Sequence, residues 1–195
     1  TNQIIIKPIT AEIIPVHLFG KSCRMEEILE IANKNNLQVI EDNAQALGST
    51  YKFSNSQKQM SGTIGDIATT SFFPSKNLGC YGDGGAIFTN QSRLAKLFKS
   101  IRLHGQNKRN YYSRVGIGGR MDTIQCAIVL AKLKQFKWEL KKRKVIGNRY
   151  NFLIDKIGIN RVNQIKNRTS IFSQYTILTN KRSKIREKFN QNKTT

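Results

Sequence analysis

A β–α–β signature over residues 13–42 does most to limit what this chain can fold into. An apolar run from Ile13 to Phe19 ends at Gly20. An amphipathic stretch follows, with Met25, Ile28, Leu29 and Ala32 on one face of a 3.6-residue period and Ser22 as its expected cap. Asn35-Asn36 ends that helix. Leu37 to Ile40 then reads as a buried strand that stops at Glu41-Asp42. Two strands joined by a helix run parallel, because a parallel return needs a crossover. The expected class is therefore α/β with a mostly parallel sheet. Such folds place ligands just past the carboxyl ends of their strands, where Asp42 stands.

The remaining pattern fits that class. Ile4 to Ile6 reads as a short strand and residues 52–63 as a polar surface loop. A strand is expected from Asp66 to Phe73, broken by Pro74-Ser75-Lys76-Asn77 and followed by a glycine-dense loop from Gly79 to Gly85. Ala86 to Thr89 reads as a strand and Gln91 to Leu103 as an amphipathic helix. Tyr111 to Gly119 reads as irregular. A helix is expected from Asp122 to Phe136, with lysine-rich helical sequence continuing to about Ile154. Gly158 marks a break, and Ile171 to Leu178 reads as a strand. Composition shifts within 137–160, where a domain boundary is expected.

With 195 residues, the chain is long enough to bury a core without disulfides or metals. Its three cysteines, Cys23, Cys80 and Cys126, form no metal-ligand spacing with His17 or His104, so no metal site is expected. No signal peptide and no membrane-length apolar run is seen, and the expected compartment is a reducing cytoplasm. The chain opens on Thr1 rather than Met.

The net charge is +21, unevenly spread: +6 over residues 1–130 and +15 over residues 131–195. A polyanion-binding protein is one reading of that excess. No zinc spacing, heptad zipper or RNA-binding aromatic signature supports it, and enrichment in Lys, Asn and Ile reads as compositional drift. Neither a nucleic-acid nor a membrane partner is expected.

The glycine runs at 79–85 and 116–119 fit neither the dinucleotide fingerprint nor the phosphate loop, and read as tight turns needing positive φ. A sharper constellation is Asp42, Gln45, Ser71, Ser75 and Lys76. A carboxylate lies beyond one strand and a lysine beyond another, in a hydroxyl-rich loop. Pyridoxal phosphate chemistry needs such a lysine for a Schiff base, and a carboxylate to keep the pyridine nitrogen protonated.

Longer runs carry a resemblance. Ile14-Pro-Val-His-Leu-Phe-Gly, Val39-Ile-Glu-Asp-Asn-Ala-Gln-Ala-Leu-Gly and Gly62-Thr-Ile-Gly-Asp come in order. Thr70-Ser-Phe-Phe-Pro-Ser-Lys-Asn-Leu-Gly-Cys-Tyr-Gly-Asp-Gly-Gly-Ala-Ile-Phe-Thr-Asn and Val115-Gly-Ile-Gly-Gly-Arg-Met-Asp-Thr-Ile-Gln follow. Together they resemble the DegT/DnrJ/EryC1/StrS family of sugar aminotransferases, densely over about residues 8–155. The resemblance implies a three-layer α/β/α large domain of the pyridoxal-phosphate transferase type. Residues 1–140 would be part of that domain, and residues 141–195 a connecting helix and the beginning of a small domain. It implies amino transfer from an amino acid, L-glutamate by expectation, to a UDP-linked keto sugar for bacterial surface polysaccharide. It also implies a homodimer with shared sites.

Position by position, Lys76 matches the Schiff-base lysine, which once released would carry the proton shift. Asp42 matches the partner of the pyridine nitrogen, Gln45 the residue near the phenolic oxygen, and Ser71 a phosphate ligand. Ser75 and Arg120 match substrate contacts. His104 is read as structural. Two departures stand out. Gly118 replaces an asparagine that reaches the neighbouring subunit's cofactor phosphate in many relatives, and Asn43 stands where alanine is common. Relatives are about twice as long, so the chain reads as an internal or truncated portion. A fragment without catalysis is therefore the alternative to an active transaminase.

Overall fold

The computed structural model describes residues 10–163 and 165–192. The first strand, β1 (Glu12–Ile13), leads through a 3-10 turn at Leu18–Gly20 into helix α1 (Met25–Lys34), and the chain returns as β2 (Gln38–Asp42). β1 and β2 pair in parallel, Ile13 opposite Val39, as the β–α–β pattern predicts. A short antiparallel hairpin follows, β3 (Thr50–Lys52) with β4 (Lys58–Met60). β5 (Ile67–Ser71) then pairs in parallel with β2, and β6 (Gly85–Phe88) pairs antiparallel with β5. The sheet order is β1-β2-β5-β6, three parallel strands and one reversed edge. Helix α2 (Ser92–Arg102), a small hairpin of β7 (Gln106–Lys108) and β8 (Tyr111–Tyr112), long helix α3 (Thr123–Lys156) and α4 (Arg182–Gln191) complete the order. Together with helices flanking a mixed, mostly parallel sheet, this is the expected α/β class.

Two apolar clusters hold the elements. Met25, Ile28 and Ala32 of α1 pack on Val39 and Tyr51, the helix face that the sequence period selects. In the second cluster, Leu78 and Cys80 of the loop after β5 pack against Val129 and Phe136 of α3. Full burial of each such side chain is worth about 1.5–3 kcal/mol. The loop bearing Lys76 is therefore anchored on the long helix.

Several expectations change. Ser22 does not cap α1: the helix begins at Met25 with Arg24 at the cap position, and the buried Ser22 hydroxyl has no hydrogen-bond partner among the described residues. Of the first apolar run only Ile13 lies in a strand, and Val16 makes a single parallel bridge to Asp42 before the chain turns at Phe19, φ +61°. Residues 52–63 include a β-hairpin, not only loop, since Tyr51 is buried and brings the pair onto the core. Tyr111–Tyr112 forms a short strand. Ile171 to Leu178 makes isolated bridges only, Lys21 with Ser170 and Arg161 with Ile177 flanking or touching it. The expected strand at Ile4 to Ile6 lies outside the described residues. No helix among the described residues is long and apolar enough to cross a membrane.

Candidate active site

The site grows from two adjacent strand ends. Register pairs Glu41 with Ala68 and Asp42 with Thr69, so alternation puts Asp42, Thr69 and Ser71 on one face of the sheet and Glu41 on the other. Asp42 is fixed by its backbone. Its N–H donates to the Pro15 carbonyl at 3.0 Å, and its carbonyl accepts from the His17 N–H at 3.0 Å. The Ala44 N–H donates to Asp42 Oδ1 at 3.0 Å, which leaves Oδ2 open.

Glu41, one residue earlier, is fully buried and serves the other face. Its Oε2 accepts from His17 Nε2 at 2.8 Å and the Gly62 N–H at 2.8 Å, and its Oε1 from the N–H groups of Ile64 at 2.6 Å and Gly65 at 2.7 Å. His17 Nδ1 accepts from the Cys23 N–H at 3.1 Å, so the ring proton sits on Nε2 and points at Glu41. The strap at residues 15–17 is thus tied twice, by backbone to Asp42 and by side chain to Glu41. Sequence reading missed this pair. The available signal was a carboxylate on the core face of a strand, a position that demands partners.

Burial is the largest influence on the Glu41 carboxyl and pushes its pKa up. Hydrogen bonds from His17, Gly65, Gly62 and Ile64 together outweigh burial and hold it below the ordinary glutamate range. A carboxyl depressed on folding contributes stability that is present above its unfolded pKa and lost as pH falls through the folded one. Urea midpoints are therefore expected to fall on acidification below about pH 4.3, the unfolded glutamate value. They should fall less in Glu41→Gln, which has no proton to take up.

Of the other predicted residues, Gln45 lies on the loop past β2, Ser71 ends β5, Ser75 and Lys76 lie on the loop past β5, and Arg120 lies between β8 and α3. The Phe19 N–H donates to Gln45 Oε1 at 2.8 Å, which leaves the Gln45 amide NH2 free to donate elsewhere. The Asn77 side-chain amide donates to the Gln45 carbonyl at 3.4 Å and links the two loops. Ser71 Oγ accepts from the Phe73 N–H at 3.2 Å and keeps its own hydrogen to give. Lys76 is half-buried, and its ammonium has no hydrogen bond or ion pair among the described residues. Ser75 is exposed beside it. Arg120 is exposed, two residues before the Asp122 cap position of α3, and no hydrogen bond or ion pair among the described residues joins it to the other five.

The glycine loop is held by approach, not by positive φ. None of Gly79, Gly82, Gly84, Gly85, Gly116, Gly118 or Gly119 lies in the left-handed region, which corrects the tight-turn reading. A Cβ on Gly79 would meet the Pro74 carbonyl oxygen at 2.6 Å and that of Phe73 at 2.7 Å, so only glycine lets the loop close behind Lys76. Two α3 side chains brace it. Lys132 Nζ donates to the Gly79 carbonyl at 2.6 Å, and Gln125 Oε1 accepts from the Tyr81 N–H at 2.8 Å. Gly118 likewise has a local reason, since a Cβ there would meet the His104 ring at 2.9 Å. Asn43 is buried; its amide donates to the Ser61 carbonyl at 2.9 Å while its Oδ1 has no partner among the described residues.

This donor set suits pyridoxal phosphate. It offers one unpaired amine, one carboxylate oxygen left open at a strand end, and hydroxyl and amide hydrogens free to meet anionic oxygens. Among the described residues no group of His, Cys, Asp and Glu could hold a metal ion.

Comparison with known proteins follows the same line. The model of the DegT/DnrJ/EryC1/StrS aminotransferase family matches residues 3–194. A relative named UDP-2-acetamido-2-deoxy-3-oxo-D-glucuronate aminotransferase, from Pseudomonas aeruginosa, is 42% identical over 180 residues, covering 92% of this chain and 49% of that protein. A DegT DnrJ EryC1 StrS aminotransferase from Brucella abortus superposes with a TM-score of 0.86 at 36% identity, over 93% of this chain and 48% of that one. The ntda structure from Bacillus subtilis, solved with bound cofactor PMP, superposes with a TM-score of 0.82 at 32% identity, over 97% of this chain and 43% of that one. The chain spans about half the length of the relatives it matches.

Proposed function

The chain belongs to the DegT/DnrJ/EryC1/StrS aminotransferase family, and from that premise we propose that it carries the catalytic lysine half of a pyridoxal-phosphate-dependent sugar aminotransferase. The acceptor on this reading is a UDP-linked 3-keto sugar, the donor L-glutamate, and the setting the cytoplasmic synthesis of bacterial surface polysaccharide by a homodimer. The observation that carries it is the arrangement of Asp42, Ser71 and Lys76 around adjacent strand ends, with Lys76 unpaired. The name of the Pseudomonas aeruginosa relative supports the sugar class.

Pyridoxal phosphate, held there, supplies a ring that accepts the electrons left when a substrate C–H bond breaks. Asp42 Oδ2 would hold the ring nitrogen protonated. The Ser71 hydroxyl would donate to the phosphate and the Gln45 amide to the phenolic oxygen. Lys76 Nζ would hold the cofactor through its aldehyde carbon and, as the free amine, would move a proton between the nitrogen-bearing carbon of whichever substrate is bound and that cofactor carbon. Ser75 and Arg120 would meet the sugar nucleotide. Residues 1–140 would belong to the large domain and 141–195 to the connecting helix and start of the smaller one, with α3 crossing that boundary unbroken.

The test combines this chain with the parts of the Pseudomonas aeruginosa relative that lie outside its matched region, and adds pyridoxal phosphate, L-glutamate and a UDP-3-keto sugar. Release of 2-oxoglutarate that requires the sugar supports the reading. No release from any amino donor, with the cofactor bound, would sink it.

A further inference from the structure

From composition alone the charge excess of residues 131–195 reads as drift, but α3 sorts part of it onto one side. Val129, Phe136 and Gly147 are the buried residues of α3 and set the seam that faces the rest of the chain. On the opposite side, every seventh residue from Trp138 to Phe152 is apolar and exposed: Trp138 by 57%, Val145 by 66% and Phe152 by 59%. A cation follows each of them by four residues, one turn along the same side: Lys142, Arg149 and Lys156. Lys142 Nζ lies 5.7 Å from the centre of the Trp138 ring, and Lys156 Nζ 4.4 Å from that of Phe152. Lys134, Lys137, Lys141 and Lys144 are exposed beside this stripe. Ile146, Tyr150 and Leu153, also exposed, stand nearer the buried seam.

α3 holds nine lysines and arginines against two carboxylates, Glu139 and Asp155. Asp155 is taken by Arg161, whose Nε donates to Oδ1 at 2.8 Å. None of the cations along the stripe is paired by an acidic side chain among the described residues. Crowded cations repel one another, and exposed apolar groups gain by leaving water. One partner relieves both: an anionic surface that also takes up apolar side chains.

We infer that this side of α3 is a docking face for an anionic lipid bilayer, with Trp138, Val145 and Phe152 entering the headgroup boundary and the flanking lysines meeting lipid phosphates. Aromatic rings favour that boundary, and long lysine stems let an ammonium stay at the phosphates while its apolar neighbour goes deeper. Clustered cations supply the attraction. Nucleic acid is the poorer occupant. The convex side of a helix offers no groove for a phosphate backbone to follow, and Val145 has no ring on which a base could stack. A second copy of this chain would set these lysines against their counterparts. The inference stands apart from the aminotransferase reading, since none of the six predicted site residues lies on α3.

The experiment titrates the chain with vesicles of phosphatidylcholine containing phosphatidylglycerol and follows the emission of Trp138, the only tryptophan. Emission should move to shorter wavelength and become shielded from acrylamide, and vesicles of phosphatidylcholine alone should leave it unchanged. The double variant Val145→Ser, Phe152→Ser keeps the charge and should bind at least about tenfold more weakly. The triple variant Lys137→Gln, Lys141→Gln, Lys144→Gln should lose at least about tenfold as well. Removing the same charge at exposed Lys108, Arg109 and Arg114, far along the chain from the stripe, should cost less than about twofold. All variants change exposed positions and should keep the parent's circular dichroism. Vesicle binding that leaves Trp138 emission unmoved would overturn the inference, as would equal losses from the two charge-removing triples. Binding to duplex DNA but not to vesicles would replace it with a nucleic-acid surface, and an emission shift that grows with the chain's own concentration without lipid would replace it with self-association. Each of these results leaves the trapping of cofactor on Lys76 to be decided separately.

Discussion

Glu41→Ala is expected to lower the urea midpoint of unfolding sharply at 25 °C. The substitution strips partners from His17 Nε2 and from the N–H groups of Gly62, Ile64 and Gly65, all at the fully buried Glu41 carboxylate. Removing one member of a buried charged network costs about 3–5 kcal/mol, since the donors left behind lose their acceptor inside the protein. Whole-domain stability is about 5–15 kcal/mol, so the loss is a large share of it. Glu41→Gln should fall between, because its carbonyl oxygen can still accept while its amide hydrogens face donors. Urea denaturation followed by circular dichroism reads the effect. A Glu41→Ala variant melting with the parent would mean that the strap at residues 15–17 and the turn at 62–65 are held by something else.

Lys76→Ala should act in the opposite sphere, with chemistry lost and fold kept. The Lys76 ammonium has no partner among the described residues, and the loop behind it is secured by Leu78, Cys80 and the Lys132 bond to Gly79. Stability should therefore move by no more than about 0.5 kcal/mol, as for surface changes away from special features. In the assembled enzyme, release of 2-oxoglutarate should drop by at least about 10⁴-fold, the upper end for a positioned acid–base group alone. Lys76→Arg should not rescue it, because a guanidinium stays protonated and cannot serve as nucleophile or base. Retained turnover in either variant would show that another amine does the work.

What the residues disclosed in advance was uneven, for physical reasons. The β–α–β unit was legible because Met25, Ile28 and Ala32 repeat at helical spacing and Val39 sits in a short apolar run, so local periodicity and tertiary burial agree. The helix from Thr123 to Lys156 was legible because no glycine or proline breaks it before Gly147, which α3 absorbs against the Phe172 ring. The hairpin at Thr50–Met60 was not. Its strands are three residues each, and its polar composition matches a loop. The Glu41–His17 pair was hidden for another reason: its partners are 24 residues apart, and no local pattern announces a long-range hydrogen bond. Glycines misled in kind. They mark carbonyl and ring contacts at Gly79 and Gly118 rather than left-handed turns, a distinction that needs the third dimension.

The candidate site shows the same split. Residue types and order on the chain placed Asp42, Gln45, Ser71, Ser75 and Lys76 near two strand ends. The loop contacts that hold them, from Asn77 to Gln45 and from Lys132 to Gly79, came only with the fold. Arg120 is the exception, exposed and joined to the rest by no hydrogen bond or ion pair among the described residues.

Borohydride trapping tests the central claim most directly. The chain, alone and with the parts of the Pseudomonas aeruginosa relative that lie outside its matched region, is incubated with pyridoxal phosphate, reduced, digested and mapped by mass. The account predicts one dominant reduced adduct, on Lys76, absent from Lys76→Ala. Adducts scattered over the other twenty lysines, with none enriched at Lys76 even in the mixture, would contradict it.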